Sequence, residues 1–306
     1  MIRDDPTTKA EAVVFTPKRA HELLALAGAR LDLPVETAVL VRLGENAIFQ
    51  LPDASLAVRI GRSPDKVPVV ARELCVTRWL AGHGVPVVRS VDSSPAPQTV
   101  EGHPVSVWHW VEPGRPGPGA KDLAGVLRQV HDIDGAPSCD LPAPDLLGVS
   151  ERRLSAIEGL PDADRLLFAE RVAELRDRYA SLDFALPAGV IHGDAHTGNL
   201  LGHAGAVVLG DFEATAVGPR EWDLIPMAIS RARFGRSDET YKSFTNRYGF
   251  DVTSWAGYSV LRAIRELYMT VWLAQNAGHG ASEAAELELR TCTIRERDDT
   301  TEWHAF

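Results

Sequence analysis

The stretch from Val190 to Asp223, VIHGDAHTGNLLGHAGAVVLGDFEATAVGPREWD, constrains this chain more than any other part of it. A short apolar run, Val190 and Ile191, delivers His192-Gly193-Asp194, and Asn199 follows five residues after Asp194. A second apolar run, Ala206 to Leu209, ends at Asp211-Phe212-Glu213. Carboxylate and amide side chains just past the ends of short strands stand where a rigid scaffold meets open loops. Here they form a set that can hold a hard divalent cation through oxygens while one carboxylate remains to orient a hydroxyl. Phosphoryl transfer needs those parts.

The bulk properties narrow the partners. A chain of 306 residues can form one large domain or two lobes with a sizeable core. Its net charge of -10 argues against a general affinity for nucleic acid, and it suits a cationic small molecule. Cys75, Cys139 and Cys292 are widely spaced, odd in number and without a CxxC pair, so neither a disulfide framework nor a zinc site is expected. The N-terminus has acids where a signal peptide needs positive charge, and no apolar run approaches the roughly 18 residues that span a bilayer. The expectation is a cytoplasmic protein with reduced thiols that binds no membrane.

Periodicity gives a coarse order of elements. Leu23, Leu24, Ala27 and Leu31 recur at helical spacing within residues 17–31. Residues 38–42, 47–51 and 56–60 read as three short strands joined by tight turns, an antiparallel meander. A helix over 69–82 and a strand over 105–111 follow, and Glu112 to Gly119 is the strongest Pro/Gly punctuation in the chain. Beyond it come a helix over 120–133, a loop-rich stretch over 134–150 and a long helix over 160–182. Four helices over 224–233, 237–248, 255–276 and 282–297 follow Asp223, with a frayed tail over 298–306. Among their residues, Gly44-Glu45-Asn46 reads as a hairpin turn and Arg59 as the polar side of an alternating strand. Glu73 reads as an acid favoured by a helix N-terminus.

The central stretch resembles the aminoglycoside phosphotransferase and choline kinase-like family, relatives of the protein kinases. The family pattern HGDxxxxN matches His192, Gly193, Asp194 and Asn199; its D-[FW]-[EDG] matches Asp211-Phe212-Glu213; its G-x-x-x-x-D-L matches Gly218 through Asp223-Leu224. The resemblance implies an α+β, two-lobed protein kinase-like fold. A small antiparallel β-sheet lobe with one key helix would occupy 1–111, with a hinge near 109–114. A larger, mainly helical lobe would occupy 112–306.

The same resemblance assigns roles. Asp194 becomes the catalytic carboxylate, and Asn199 and Asp211 the ligands of Mg2+ that bridges the phosphates of ATP or GTP. Arg59 takes the place of the protein-kinase lysine, paired to Glu73; it departs from that lysine but keeps the charge. Gly44 and Asn46 would cover the phosphates, and His109, Trp110 and Val111 would meet the adenine ring. His192 and Asp223 would shape and anchor the catalytic loop, and His131 would pack or cap. Glu213 lies close enough to touch a metal-bound water or a cationic substrate, and Glu266, Asp298 or Asp299 could bind ammonium groups. His192, Asp194 and His196 also mimic a metal-ligand HxDxH cluster, but Gly193 and Gly198 favour a bent loop there.

The function that follows is transfer of the γ-phosphate to a hydroxyl of a small molecule, foremost an aminoglycoside or similar cationic antibiotic. A metabolic kinase acting on choline, an amino sugar or an amino-acid alcohol is the alternative, and a nucleotide-binding pseudokinase the one after that. The acceptor and the oligomeric state are not legible at this level.

Overall fold

A computed structural model describes residues 15–91, 96–114, 117–203, 206–276 and 280–305. The chain divides into two compact units, and it passes between them more than once. One unit holds the described residues through Leu74 together with Arg89–Trp110; the other holds Cys75–Val88 and the described residues from Val111 onward.

The first unit opens with α1 (Pro17–Leu31). Thr16 caps it by accepting from the Arg19 N–H at 3.2 Å, Pro17 enters its first turn, and Asp32 ends it in the left-handed region at φ 54°. Its stripe of Ala20, Leu23, Leu24 and Ala27 is buried, as the spacing requires. A five-stranded antiparallel sheet follows, in the order β1-β2-β3-β5-β4. Its strands are β1 (Val39–Leu43), β2 (Asn46–Leu51), β3 (Leu56–Gly61), β4 (Gln98–Val100) and β5 (His103–His109). Period-2 alternation decides what each face carries. Ala47, Phe49 and Leu51 of β2 and Val58 and Ile60 of β3 enter the core with the α1 stripe. Arg59, between Val58 and Ile60, is thereby turned to the other face, on the side from which Glu73 of α2 (Val67–Gly82) reaches it.

The second unit is mainly helical: α3 (Ala120–His131), α4 (Gly148–Ala156), α5 (Asp162–Ala180), α6 (Ile225–Arg233), α7 (Asp238–Tyr248), α8 (Tyr258–Asn276) and α9 (Ala281–Glu296). Two antiparallel pairs lie among these helices. The strands β6 (Gly189–Ile191) and β9 (Ala216–Gly218) form one, and β7 (Leu200–His203) and β8 (Ala206–Leu209) the other. Leu123, Leu127, Phe168, Leu175, Ile191, Phe212, Leu224 and Ile264 pack in a single core beneath them. Among the described residues no helix is long and apolar enough to cross a membrane.

Three expectations fail here, each for a readable reason. Helix α4 starts within the stretch read as loop; only Ser150 and Leu154 of it are buried, so its sequence carries almost no apolar stripe. The tail over 298–305 is not frayed. Arg233, fully buried, donates from Nη2 to the Asp298 carbonyl at 2.6 Å and from Nη1 to the Thr301 carbonyl at 2.7 Å, and its guanidinium lies 4.9 Å from the Trp303 ring centroid. A buried guanidinium needs acceptors, and the tail's carbonyls supply them. The third failure concerns the thiols. Cys75 of α2 and Cys139 are joined as a disulfide across a Cα–Cα distance of 6.4 Å, leaving Cys292 as the free cysteine.

Candidate active site

Strand β6 ends by launching the loop His192-Gly193-Asp194, and only glycine serves at its centre. Gly193 sits at φ 86°, and a Cβ there would stand 2.2 Å from the Ala214 carbonyl oxygen. The loop is fixed from below by Asp223, which is fully buried. Its Oδ2 accepts from the His192 N–H at 2.6 Å and its Oδ1 from the Gly193 N–H at 2.8 Å. His131 of α3 lies on the same carboxylate, Nε2 to Oδ2 at 3.0 Å, with its Nδ1 on the Tyr248 hydroxyl at 2.8 Å. Burial, with the charge of Asp223, pushes the Tyr248 phenol well above its ordinary range. Trp222 adds a third anchor, donating from Nε1 to the Gly193 carbonyl at 2.8 Å.

The same local bonds bring the other two oxygen-bearing residues alongside. His192 donates from Nε2 to the Gly210 carbonyl at 2.9 Å and accepts at Nδ1 from the Asp194 N–H at 3.3 Å, so both ring nitrogens are used within the protein. That occupancy removes His192 from any HxDxH metal set, and among the described residues no group of three or more His, Cys, Asp or Glu could hold a metal ion. Gly210 in turn donates its N–H to the Asn199 carbonyl at 2.9 Å, setting Asn199 beside Asp211. Asn199 spends its amide nitrogen on the Asp194 carbonyl at 2.9 Å, which leaves the amide oxygen as the atom for a cation. Asp211 is exposed and sits at φ 63°, a conformation that non-glycine residues adopt at a cost and that recurs at functional sites. One neutral and one anionic oxygen, on loops held together by Gly210, suit a hard divalent cation that keeps other oxygen ligands. Glu213 lies two residues on, half-buried in the turn after Phe212.

Asp194 is the carboxylate left over. Its side chain is one-third exposed, and its Oδ1 receives Nη2 of Arg265 from α8 at 2.5 Å. Burial alone would raise the Asp194 carboxyl; the Arg265 guanidinium, with His196 and His192, outweighs burial and holds it below the usual carboxylate range. His196, 3.7 Å away from Asp194 Oδ2, is pushed down by burial, so it is neutral at pH 7. Arg265 is the functional neighbour that the sequence reading missed. It had one signal available: a charged residue inside the apolar run RELYMTVWLAQ, where a buried cation must find a partner.

The remaining expected residues are placed as follows. Arg59 donates from Nη1 to both oxygens of Glu73, at 2.9 and 2.7 Å, and Glu73 is 1% exposed. Gly44 lies in the two-residue turn between β1 and β2 and donates to the Asn46 carbonyl at 3.0 Å; nothing stands within 4 Å of a Cβ built on it. At the end of β5 the His109 N–H donates to the Arg89 carbonyl and the Trp110 N–H to the Ser55 carbonyl, each at 2.9 Å. At Val111 the chain re-enters the second unit. Glu266 corrects an expectation. Its Oε1 accepts from Arg233 Nε and Arg262 Nε, both at 2.7 Å, so its charge is already matched by two guanidinium groups. It lines a cavity of about 330 Å³ with Arg171, Arg178, Arg262, Arg297 and Asp299, and neither Asp194, Asn199 nor Asp211 borders that cavity. Asp298 is likewise engaged by Thr300 and Thr301, and Asp299 Oδ1 lies 3.6 Å from Arg262 Nη1.

An antiparallel sheet unit with one buried Arg–Glu pair and a helical unit that mounts carboxylate and amide on short strands make up a protein kinase-like α+β fold. The chain belongs to the phosphotransferase enzyme family, whose model matches residues 40–264. Solved structures share the fold at low identity. An amicoumacin kinase, hAmiN, in complex with AMP-PNP, Ca2+ and Ami is 16% identical with a TM-score of 0.70, over 94% of this chain and 98% of that one. A choline/ethanolamine kinase family protein from Mesorhizobium loti is 18% identical with a TM-score of 0.64, over 94% and 96%. A spectinomycin phosphotransferase in complex with ADP and spectinomycin is 16% identical with a TM-score of 0.59, over 91% and 94%. No curated protein matches the sequence.

Proposed function

We propose that this enzyme moves the γ-phosphate of ATP or GTP to a small-molecule hydroxyl, with Asp194 orienting the hydroxyl and Asn199 and Asp211 holding Mg2+. The observation that carries the reading is the Gly210 bridge, whose N–H and carbonyl tie Asn199 and His192 to the segment that presents Asp211. When bound, the metal would neutralise charge on the phosphate oxygens. The protein's own share is positioning. Asp223 and Trp222 fix the loop, and Asp194, anionic across the physiological range, accepts a hydrogen bond from the acceptor hydroxyl. Arg59, aimed by Glu73, supplies a guanidinium to the nucleotide phosphates.

The acceptor is a choice between a cationic antibiotic and a small metabolic hydroxyl compound. Glu266, Asp298 and Asp299, the acids expected to receive ammonium groups, are engaged within the protein. That engagement bears equally on both classes, because choline, amino sugars and amino-acid alcohols carry ammonium groups as aminoglycosides do. Nucleoside triphosphate is supplied in the cytoplasm, the compartment in which this enzyme would work.

The first test is Mg2+-dependent release of nucleoside diphosphate with pools of aminoglycosides, choline, amino sugars and hydroxy amino acids. Asp211→Asn is expected to lower kcat by about a hundredfold and to raise the Mg2+ concentration needed for half-maximal rate by about tenfold. Unchanged Mg2+ dependence would remove Asp211 from the metal. Separately, Glu73→Ala is expected to raise the KM for nucleotide by about tenfold, because Arg59 loses the partner that aims it. Steady-state kinetics with nucleotide and acceptor varied in turn decide this, since the acceptor KM should stay within about twofold.

A further inference from the structure

Two arginines converge on one aromatic ring beside Asp194. Arg265 places its guanidinium carbon 5.1 Å from the Tyr268 ring centroid and 5.8 Å from that of Trp222, while Nη2 meets Asp194. Arg153 of α4 stacks on the same Tyr268 ring at 4.6 Å, and its Nη2 donates to the Tyr268 hydroxyl at 3.4 Å. Each arginine also keeps one buried donor without an acceptor, Nε of Arg265 and Nη1 of Arg153. A buried donor without an acceptor is costly on a cation, so a guanidinium that turns to meet an anionic group at this ring would recover that cost.

We propose that Arg153, Tyr268 and Arg265 form the acceptor-recognition site, and that it binds a carboxylate on the molecule whose hydroxyl is phosphorylated. The proposal rests on the reading of Asp194 as the hydroxyl-orienting carboxylate. Charge selects the ligand. An ammonium group next to Asp194 would meet the Arg265 guanidinium already bound there, a like-charge contact with little left to gain. A planar carboxylate instead matches the fork of guanidinium donors. A phosphate dianion would add a second negative charge close to Asp194 and the incoming γ-phosphate, so a singly charged carboxylate fits better.

In the transfer, the acceptor oxygen forms a bond to the γ-phosphorus as the bond from that phosphorus to the β–γ bridging oxygen breaks. The nucleoside diphosphate leaves with that electron pair, and the hydroxyl proton passes to Asp194 and then to solvent. The bound carboxylate makes no bond; it decides which hydroxyl reaches Asp194. The substrate class is therefore a small hydroxy acid or hydroxy amino acid.

The experiment uses the full chain with ATP and Mg2+. Small hydroxy acids and hydroxy amino acids are offered beside their own primary amides, which keep the hydroxyl and lose the charge, with choline and an aminoglycoside as cationic acceptors. At least one acid is expected to exceed its amide by about tenfold or more in kcat/KM. Arg153→Gln should then raise the KM for that acid by about tenfold with kcat within about threefold, bringing acid and amide together. The acid-to-amide ratio in the unaltered enzyme decides the matter even if the variant does not fold. Turnover of amides or cationic acceptors equal to or above that of every acid would overturn the proposal while leaving the kinase reading intact. Absence of nucleotide-dependent transfer to every acceptor, in folded protein, would remove the kinase reading and this proposal with it.

Discussion

Asp194→Asn is expected to lower kcat for phosphoryl transfer by about a thousandfold while nucleotide affinity stays within about threefold. The amide keeps the shape of the side chain and one oxygen, but it cannot take the hydroxyl proton and it loses the charge that Arg265 faces at 2.5 Å. The variant should nonetheless fold. The loop that carries residue 194 is anchored through backbone groups of His192 and Gly193, and Arg265 retains the Trp222 and Tyr268 rings. The pH dependence carries a second check. A carboxyl held below its usual range stays ionised as pH falls toward that range, so Asp194 should not produce an acid limb in kcat between about pH 5 and 8. Isothermal titration with a non-hydrolysable nucleotide, beside initial rates across that pH range, measures both effects. Wild-type turnover in the variant would remove Asp194 from the chemistry.

How much of this was legible in the sequence depends on how local each feature is. His192, Gly193, Asp194, Asn199 and Asp211 lie within one short stretch, and the bonds that gather them run between near neighbours such as His192 and Gly210. Spacing therefore foretold that these residues lie together. The sheet was legible because β2 and β3 alternate cleanly, and the same alternation separated Arg59 from Val58 and Ile60. Arg265 was not legible, since it reaches Asp194 across 71 positions and its neighbours in α8 read as core. The bond between Cys75 and Cys139, 64 positions apart, left no mark in spacing either. Glu266 shows the opposite error. A carboxylate in α8 looks available until the tertiary structure sets Arg233 and Arg262 against it.

Asp223 separates support from chemistry, and its removal should cost both stability and rate. Asp223→Ala leaves the His192 and Gly193 N–H groups without their acceptor and the His131 Nε2 without its carboxylate, around a side chain that has no exposure to solvent itself. An orphaned buried donor costs about 1–3 kcal/mol, so three of them predict a loss of roughly 3–5 kcal/mol in unfolding free energy after partial relaxation. Asp223→Asn should fall between, because one oxygen remains to accept while the amide nitrogen faces a donor. Activity should drop with stability in this series, as the Gly193 turn is released and Asp194 loses its fixed approach to the acceptor. The contrast with Asp194→Asn is what makes the pair informative. That change should leave the urea midpoint near wild type and abolish turnover, whereas Asp223→Ala should move the midpoint and the rate together. A wild-type midpoint in Asp223→Ala would show that the loop holds its strained Gly193 turn without the carboxylate, and the anchoring role assigned to Asp223 would then pass to Trp222, whose Nε1 grips the Gly193 carbonyl from the same side of the chain.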